Sequence, residues 1–141
     1  MNPERGTYEL EGRGSDLAIR VAGPDAAACL AAAVEGFAAS LTDVDPMLGR
    51  RRMPLQLEGQ TPEDLLVGLL DEAILRLDTD GDLAVGLVDA ELTGEGLQGV
   101  LEVVDLESVQ VRGVAPKAAT WHDVLLQQVG DAWEGQLVLD L

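Results

Sequence analysis

From Leu83 onward the hydrophobic period of this chain settles at two, and that limits what it can fold into. Up to Leu77 the longest apolar blocks repeat at helical spacing, and from Leu83 onward they repeat every second residue. A helix returns to one face every three or four residues, whereas a strand alternates faces. The sequence therefore predicts α+β: helices early, then a meander of antiparallel strands.

Residues 8–12 and 16–22 read as two short strands around Gly12-Arg13-Gly14-Ser15, with Leu17, Ile19 and Val21 on one face. Gly23-Pro24-Asp25 opens a first helix, with Pro24 and Asp25 suited to its first turn. Leu30, Ala33, Val34, Phe37 and Leu41 form its apolar face, and residues 42–46 end it. Met53, Leu55 and Leu57 alternate as a third strand. Thr61-Pro62-Glu63-Asp64 then carries a cap, a first-turn proline and first-turn acids, the start of a second helix. Its apolar face runs from Leu65 through Leu77, with Asp71, Glu72 and Arg76 outside it. Strands are expected over 83–92, 97–104, 109–112, 118–129 and 133–141, with hairpin turns at Thr93-Gly94-Glu95-Gly96 and Gly130-Asp131. The order is β-β-α-β-α followed by strands. It implies one domain over residues 1–141, with both helices on one face of a mixed, mostly antiparallel sheet.

Charge decides which partners suit such a domain. The chain has 26 Asp and Glu against 9 Lys and Arg, a formal charge of −17. Residues 1–52 hold 6 basic and 8 acidic side chains, and residues 53–141 hold 3 and 18, so the later part carries most of the field. Nucleic-acid binding relies on cations that displace phosphate counterions. Direct nucleic-acid binding is therefore not expected, and an anionic membrane is disfavoured for the same reason. A basic protein or a divalent cation is the natural partner. The mean hydropathy of +0.12 and 47% hydrophobic content are enough for a core. One cysteine, no signal-like start and no 18-residue apolar run make a cytoplasmic protein the expectation.

Few side chains invite chemistry. Asp78-Thr79-Asp80-Gly81-Asp82 alternates acids like a calcium loop, but the sixth and twelfth positions hold Leu83 and Asp89 where glycine and glutamate are required. It reads as an acidic turn closing a helix. His122, the single histidine, reads as a strand residue with a satisfied ring nitrogen, and Cys29 as a small core residue. Arg50-Arg51-Arg52 is the one basic cluster, either solvated or meeting acids of this chain or a partner. Trp121 and Trp133 are expected in the core, with a docking surface as the alternative, since aromatic anchors are common at interfaces. The last residues read as a strand that places Asp140 beside the carboxylate of Leu141. If Asp16 lies next to them, three carboxylates converge, an arrangement that holds a hard cation or raises a pKa.

Five stretches together resemble the archease family, over about residues 7 to 141. Ser15-Asp16-Leu17-Ala18-Ile19 is similar to the tail of its His-Thr-Ala-Asp-Val-Gly signature. Ala33-Val34-Glu35-Gly36-Phe37 through Leu41-Thr42-Asp43 resembles its first helix and Thr-Asp end. Glu63-Asp64-Leu65-Leu66-Val67 through Leu77-Asp78-Thr79-Asp80-Gly81 resembles its second helix and acidic exit. Pro116-Lys117-Ala118-Ala119-Thr120-Trp121-His122 looks like its Lys-Ala-Val-Thr-Tyr-His stretch, and Trp133 through Asp140-Leu141 like its terminal strand.

The resemblance implies an accessory protein, not an enzyme. Archeases assist the RtcB-type RNA ligase of tRNA splicing and RNA repair by promoting its GTP- and metal-dependent guanylylation, so that it turns over repeatedly. The family's metal site, for Ca²⁺ or Mg²⁺, carries over to Asp16, Asp140 and the carboxylate of Leu141. Its ligase-stimulating lysine carries over to Lys117. One departure stands out: the signature's His-Thr is Arg13-Gly14 here, so a cation replaces a histidine. Two other readings remain. One is a chaperone-like or scaffolding module that binds proteins without affecting ligation. The other is a small hydrolase using Asp16, Lys117 and Asp140, for which no activated nucleophile is visible.

Overall fold

Both helices start where the sequence supplies a cap. The computed structural model describes residues 5–141. In chain order it contains β1 (Thr7–Arg13), β2 (Asp16–Gly23), α1 (Ala26–Ala39), β3 (Arg51–Glu58) and α2 (Pro62–Asp80). These are followed by β4 (Asp82–Thr93), β5 (Gly96–Asp105), a 3-10 turn (Leu106–Ser108), β6 (Ala118–Val129) and β7 (Ala132–Asp140). Asp25 is the N-cap of α1 and accepts a hydrogen bond from the Ala28 N–H, so Pro24 lies just outside the helix, not in its first turn. Thr61 and Asp64 form a reciprocal capping box at α2, with Pro62 in first position. The N–H groups of Gln60 and Thr61 hold the Asp64 carboxyl below the usual carboxylate range. At the other end Gly81 takes a left-handed conformation, φ 68°, which ends the helix.

The fold is α+β as expected, but the strands form two antiparallel sheets where one mixed sheet was anticipated. Their orders are β1-β2-β7-β6 and β3-β5-β4. The division follows from the segment after β5. Residues 109–112 alternate like a strand but are irregular, and the N–H groups at both ends of the segment bond outside any sheet. The Arg112 N–H donates to the Leu41 carbonyl at 2.6 Å, and the Arg112 guanidinium pairs with Asp43. Gly113 sits so close to the Ser40 carbonyl that a Cβ there would lie 2.5 Å from its oxygen. The chain after β5 is thus held on the exit of α1, and no strand joins β5 to β6.

The core lies between the helices and the inner sheet faces. Leu30, Val34 and Phe37 of α1 and Leu66, Leu69 and Leu70 of α2 are fully buried, as are Ile19, Leu101, Leu137 and Leu139 of the sheets. Leu41 is buried too, just beyond the end of α1. Burying side chains of this size contributes about 1.5–3 kcal/mol each. Among the described residues no helix is long and apolar enough to cross a membrane.

The arginine cluster meets the acids of its own chain. Arg50 pairs with Glu102 at 3.1 Å and Arg52 with Asp89 at 3.6 Å. Arg51 spans Asp82 and Asp105, two carboxylates that stand directly opposite on β4 and β5. Like charges in that register repel, and the guanidinium between them offsets the repulsion.

Helix α2 closes one sheet edge with side chains. Glu63 accepts a hydrogen bond from the Leu126 N–H at 2.8 Å, and Asp71 accepts one from the Ala119 N–H at 3.1 Å. Both N–H groups belong to β6, the last strand of its sheet. A carboxylate accepting from a backbone N–H contributes about 1.5–3 kcal/mol. Glu63→Ala should therefore lower stability by about 1–3 kcal/mol and speed amide exchange at Leu126. Exchange at the central strand β5 should slow or quicken only with global stability. Urea unfolding and hydrogen exchange followed by NMR read both effects.

Candidate functional site

The pairing of β2 with β7 brings an early aspartate to the end of the chain. Asp16 is directly opposite Asp140, and Leu17 is opposite Leu139. One step outward, the Leu141 N–H donates to the Ser15 carbonyl at 2.9 Å. In an antiparallel ladder the next pair inward is then the non-hydrogen-bonded kind, whose Cα atoms are about 4.5 Å apart and whose side chains lie closest. Asp16 is half-buried and Asp140 exposed. Ile19 points to Gly36 of α1, so the alternation puts Asp16 and Asp140 on the opposite, outer face.

The other two strands complete a row. Ala118 of β6 is opposite Asp140, and the Lys117 N–H donates to the Asp140 carbonyl at 2.7 Å. On the far side Arg13 of β1 is opposite Asp16. Reading across the sheet, the row is Arg13, Asp16, Asp140, Ala118. Asp16, Asp140, Leu141 and Lys117 therefore meet at one sheet end, and Arg13 occupies the same row. Arg13 is 3.4 Å from Glu11, which Arg20 also contacts at 2.5 Å. The hydrogen bond from Arg20, then that from Arg13, holds the Glu11 carboxyl below its usual range. The place of Arg13 follows from its turn: Gly14, at φ 65°, and Ser15 make a two-residue hairpin that fixes Arg13 opposite Asp16.

The donors gathered here are carboxylate oxygens, the kind that hard divalent cations take. Among the described residues, no group of three or more His, Cys, Asp or Glu side chains is placed to hold a metal ion. What this sheet end shows is two aspartates on facing strands.

The remaining candidates are placed elsewhere. Asp78 and Asp80 lie in the last turn of α2, and Asp82 is buried against Arg51, so this segment is helix end and ion pair, not a loop. His122 is on β6 with its ring largely exposed, 3.2 Å from Asp123. Trp133 packs against the core, but Trp121 is 59% exposed, contrary to expectation. The reason is a break in pairing between Thr120 and Leu125, where β6 carries extra residues and Asp123 has φ 60°. Gln136 holds this bulge through the Asp123 carbonyl at 2.8 Å. A bulge re-aims the side chains within it, and nothing in the alternation of the sequence announces one.

Comparisons with known proteins show the family to which this fold belongs. Residues 8–141 match the model of the Archease protein family (MTH1598/TM1083), nearly the whole chain. A probable protein archease of Mycobacterium tuberculosis (strain CDC 1551 / Oshkosh) is 28% identical over 127 residues, covering 90% of this chain and 70% of that protein. A protein archease of Thermoplasma acidophilum is 29% identical over 122 residues, covering 86% and 85%. In fold, the chain is similar to the solution structure of Methanobacterium thermoautotrophicum protein 1598, with a TM-score of 0.75 at 18% identity over 95% of this chain and 98% of that one. It is also similar to a Thermotoga maritima archease described as a possible chaperone, with a TM-score of 0.64 at 18% identity over 94% and 96%. The fold is that of a small α+β domain with an acidic sheet end. This chain belongs to the archease family.

Cys29 stands apart from the site. It is fully buried, its thiol donates to the Trp133 carbonyl at 3.5 Å, and burial pushes its pKa up to about 11. The native state keeps this proton where the unfolded state loses it. Its contribution to stability is thus complete below about pH 8.5 and declines as pH rises toward 11. Cys29 should resist iodoacetamide at pH 8 in the native protein and react within minutes in urea. Mass spectrometry of alkylated protein checks this.

Proposed function

We propose that this protein is an accessory factor of an RtcB-type RNA ligase and promotes its guanylylation and multiple turnover in tRNA splicing and RNA repair, in the cytoplasm. The observation that carries the reading is the register. It sets Asp16 against Asp140, Leu141 against Ser15 and ties Lys117 to the Asp140 carbonyl, so the four residues that the family resemblance marks share one sheet end. Family membership supports the accessory role. The formal charge of −17 supports docking on a basic protein over gripping RNA directly.

Asp16, Asp140 and the carboxylate of Leu141 are the residues that would hold Ca²⁺ or Mg²⁺. Bound there, such an ion supplies a hard Lewis acid for phosphate oxygens. The protein's own part is to hold the carboxylates on a rigid ladder and to anchor Lys117 at the same sheet end through its main-chain N–H. Arg13 acts on the same row. Its charge partly offsets the two aspartates and lowers the attraction of the row for a divalent ion. Compared with a histidine in that position, Arg13 makes cation loading weaker.

A second reading, a chaperone-like module that binds proteins without affecting ligation, has its own support. The Thermotoga maritima relative is described as a possible chaperone. Trp121, Val111 and Val114 are exposed here, and aromatic side chains of that kind anchor protein interfaces. The hydrolase reading with Asp16, Lys117 and Asp140 has no such support.

Guanylylation of the cognate ligase under multiple turnover separates these readings. Wild-type protein should stimulate it, and folded Asp16→Ala, Lys117→Ala and Asp140→Ala should each lose at least about tenfold of that stimulation. No stimulation by folded wild type of a competent ligase overturns the proposal and puts protein binding first. Hydrolytic activity without any ligase favours the third reading.

A further inference from the structure

The outer face of the first sheet carries a line of charges that leads to the aspartate row. Strand β1 contributes Glu9, Glu11 and Arg13 to it, and β2 contributes Asp16 and Arg20, with Arg13 opposite Asp16 and Glu9 opposite Arg20. Arg20 does not stay with the residue opposite it. Its guanidinium reaches along the sheet to Oε2 of Glu11, at 2.5 Å. The other oxygen of that carboxylate, Oε1, accepts from Arg13 Nε at 3.4 Å. The charges thus follow one another as Arg20, Glu11, Arg13, Asp16 and Asp140.

One carboxylate serving two guanidiniums divides unequally. Arg20 takes the close contact, and Arg13 is left with one charge-assisted contact longer than the usual hydrogen bond. A guanidinium has several N–H donors, so most of those on Arg13 are unengaged among the described residues. Asp16 lies directly across the ladder, and the Cβ atoms of opposed residues are about 4.5–5.5 Å apart. Glu11 and Asp16 therefore compete for the same arginine. Arg20 favours Glu11 in that contest, because it fixes the carboxylate and keeps it ionised.

We propose that Glu11 is a positioning residue for the aspartate row: it holds the Arg13 guanidinium on its own strand, off Asp16, and so keeps the row open to a divalent cation. This rests on the reading that Asp16, Asp140 and the carboxylate of Leu141 hold such an ion. A guanidinium settled on Asp16 takes up the oxygens a hard cation needs and sets a like charge beside it. Glu9 is the natural comparison. It has the same charge on the same strand and face, and it forms no ion pair among the described residues.

The test is a calcium titration of the full chain, read from the amide shifts of Ser15 to Leu17 and Leu139 to Leu141. It compares the wild type with Glu11→Ala, Glu9→Ala, Arg13→Ala and the double variant Glu11→Ala/Arg13→Ala. Glu11 is exposed on an edge strand, so its removal leaves the core intact. Glu11→Ala should weaken calcium binding by about fivefold or more, the coupling usual for groups in contact. Glu9→Ala removes only a more distant, screened charge and should change binding by less than about twofold. In the absence of Arg13, adding Glu11→Ala should also change it by less than about twofold. In the calcium-free protein the Arg13 Nε–H should show a nuclear Overhauser contact to Glu11 in the wild type and to Asp16 in Glu11→Ala. Equal weakening by Glu9→Ala and Glu11→Ala, or the same effect of Glu11→Ala with and without Arg13, would overturn the proposal and leave the cation site standing. So would an Arg13 contact to Asp16 already present in the wild type, a readout that needs no variant. No calcium binding at this sheet end of the wild type would overturn the site and the proposal together.

Discussion

The ladder between β2 and β7 is the contact on which the rest of the molecule depends. It joins residues more than a hundred positions apart, Asp16 to Asp140 and Gly23 to Trp133. Through it the first hairpin and the last hairpin become one sheet, with Ile19 and Leu137 buried against the helices. A contact so distant in sequence closes a long loop at an entropic cost, which the apolar inner face offsets. The same register places two like charges side by side on the outer face, where they repel. The interior thus fixes the register, and the register builds the acidic row.

The two sheets answer the problem of exposed edges differently. Helix α2 closes β6 with two carboxylates spaced two turns apart. Pro54 and the arginine pairs protect β3. Strands β1 and β4 instead flank a groove floored by alanines, whose small side chains leave its volume open.

Much of this was legible in the sequence because it is local. Thr61, Pro62 and Asp64 announce α2, and the spacing of Leu65 to Leu77 gives its buried face. The turn at Gly14 fixes the first hairpin. The nearness of Asp16 to Asp140 is not local, and strand alternation alone does not reveal pairing order. It became an expectation only through the family resemblance. Three features stayed hidden for physical reasons. Residues 109–112 have a strand's alternation but bond to the exit of α1. Trp121 was expected inside, but the bulge turns it out. The roles of Arg51, Glu63 and Asp71 depend on which backbone or carboxylate lies opposite, and tertiary packing alone decides that.

The proposed cation site rests on the β2–β7 register, which sets Asp16 opposite Asp140 and Leu141 against Ser15 within a broadly acidic surface. A calcium titration of isotope-labelled protein, followed by amide chemical shifts, tests it most directly. Saturable shifts concentrated at Ser15 to Leu17, Lys117 to Ala118 and Leu139 to Leu141 are the expected result. Shifts spread over the acidic surface, or centred on Asp78 to Asp82, would contradict it.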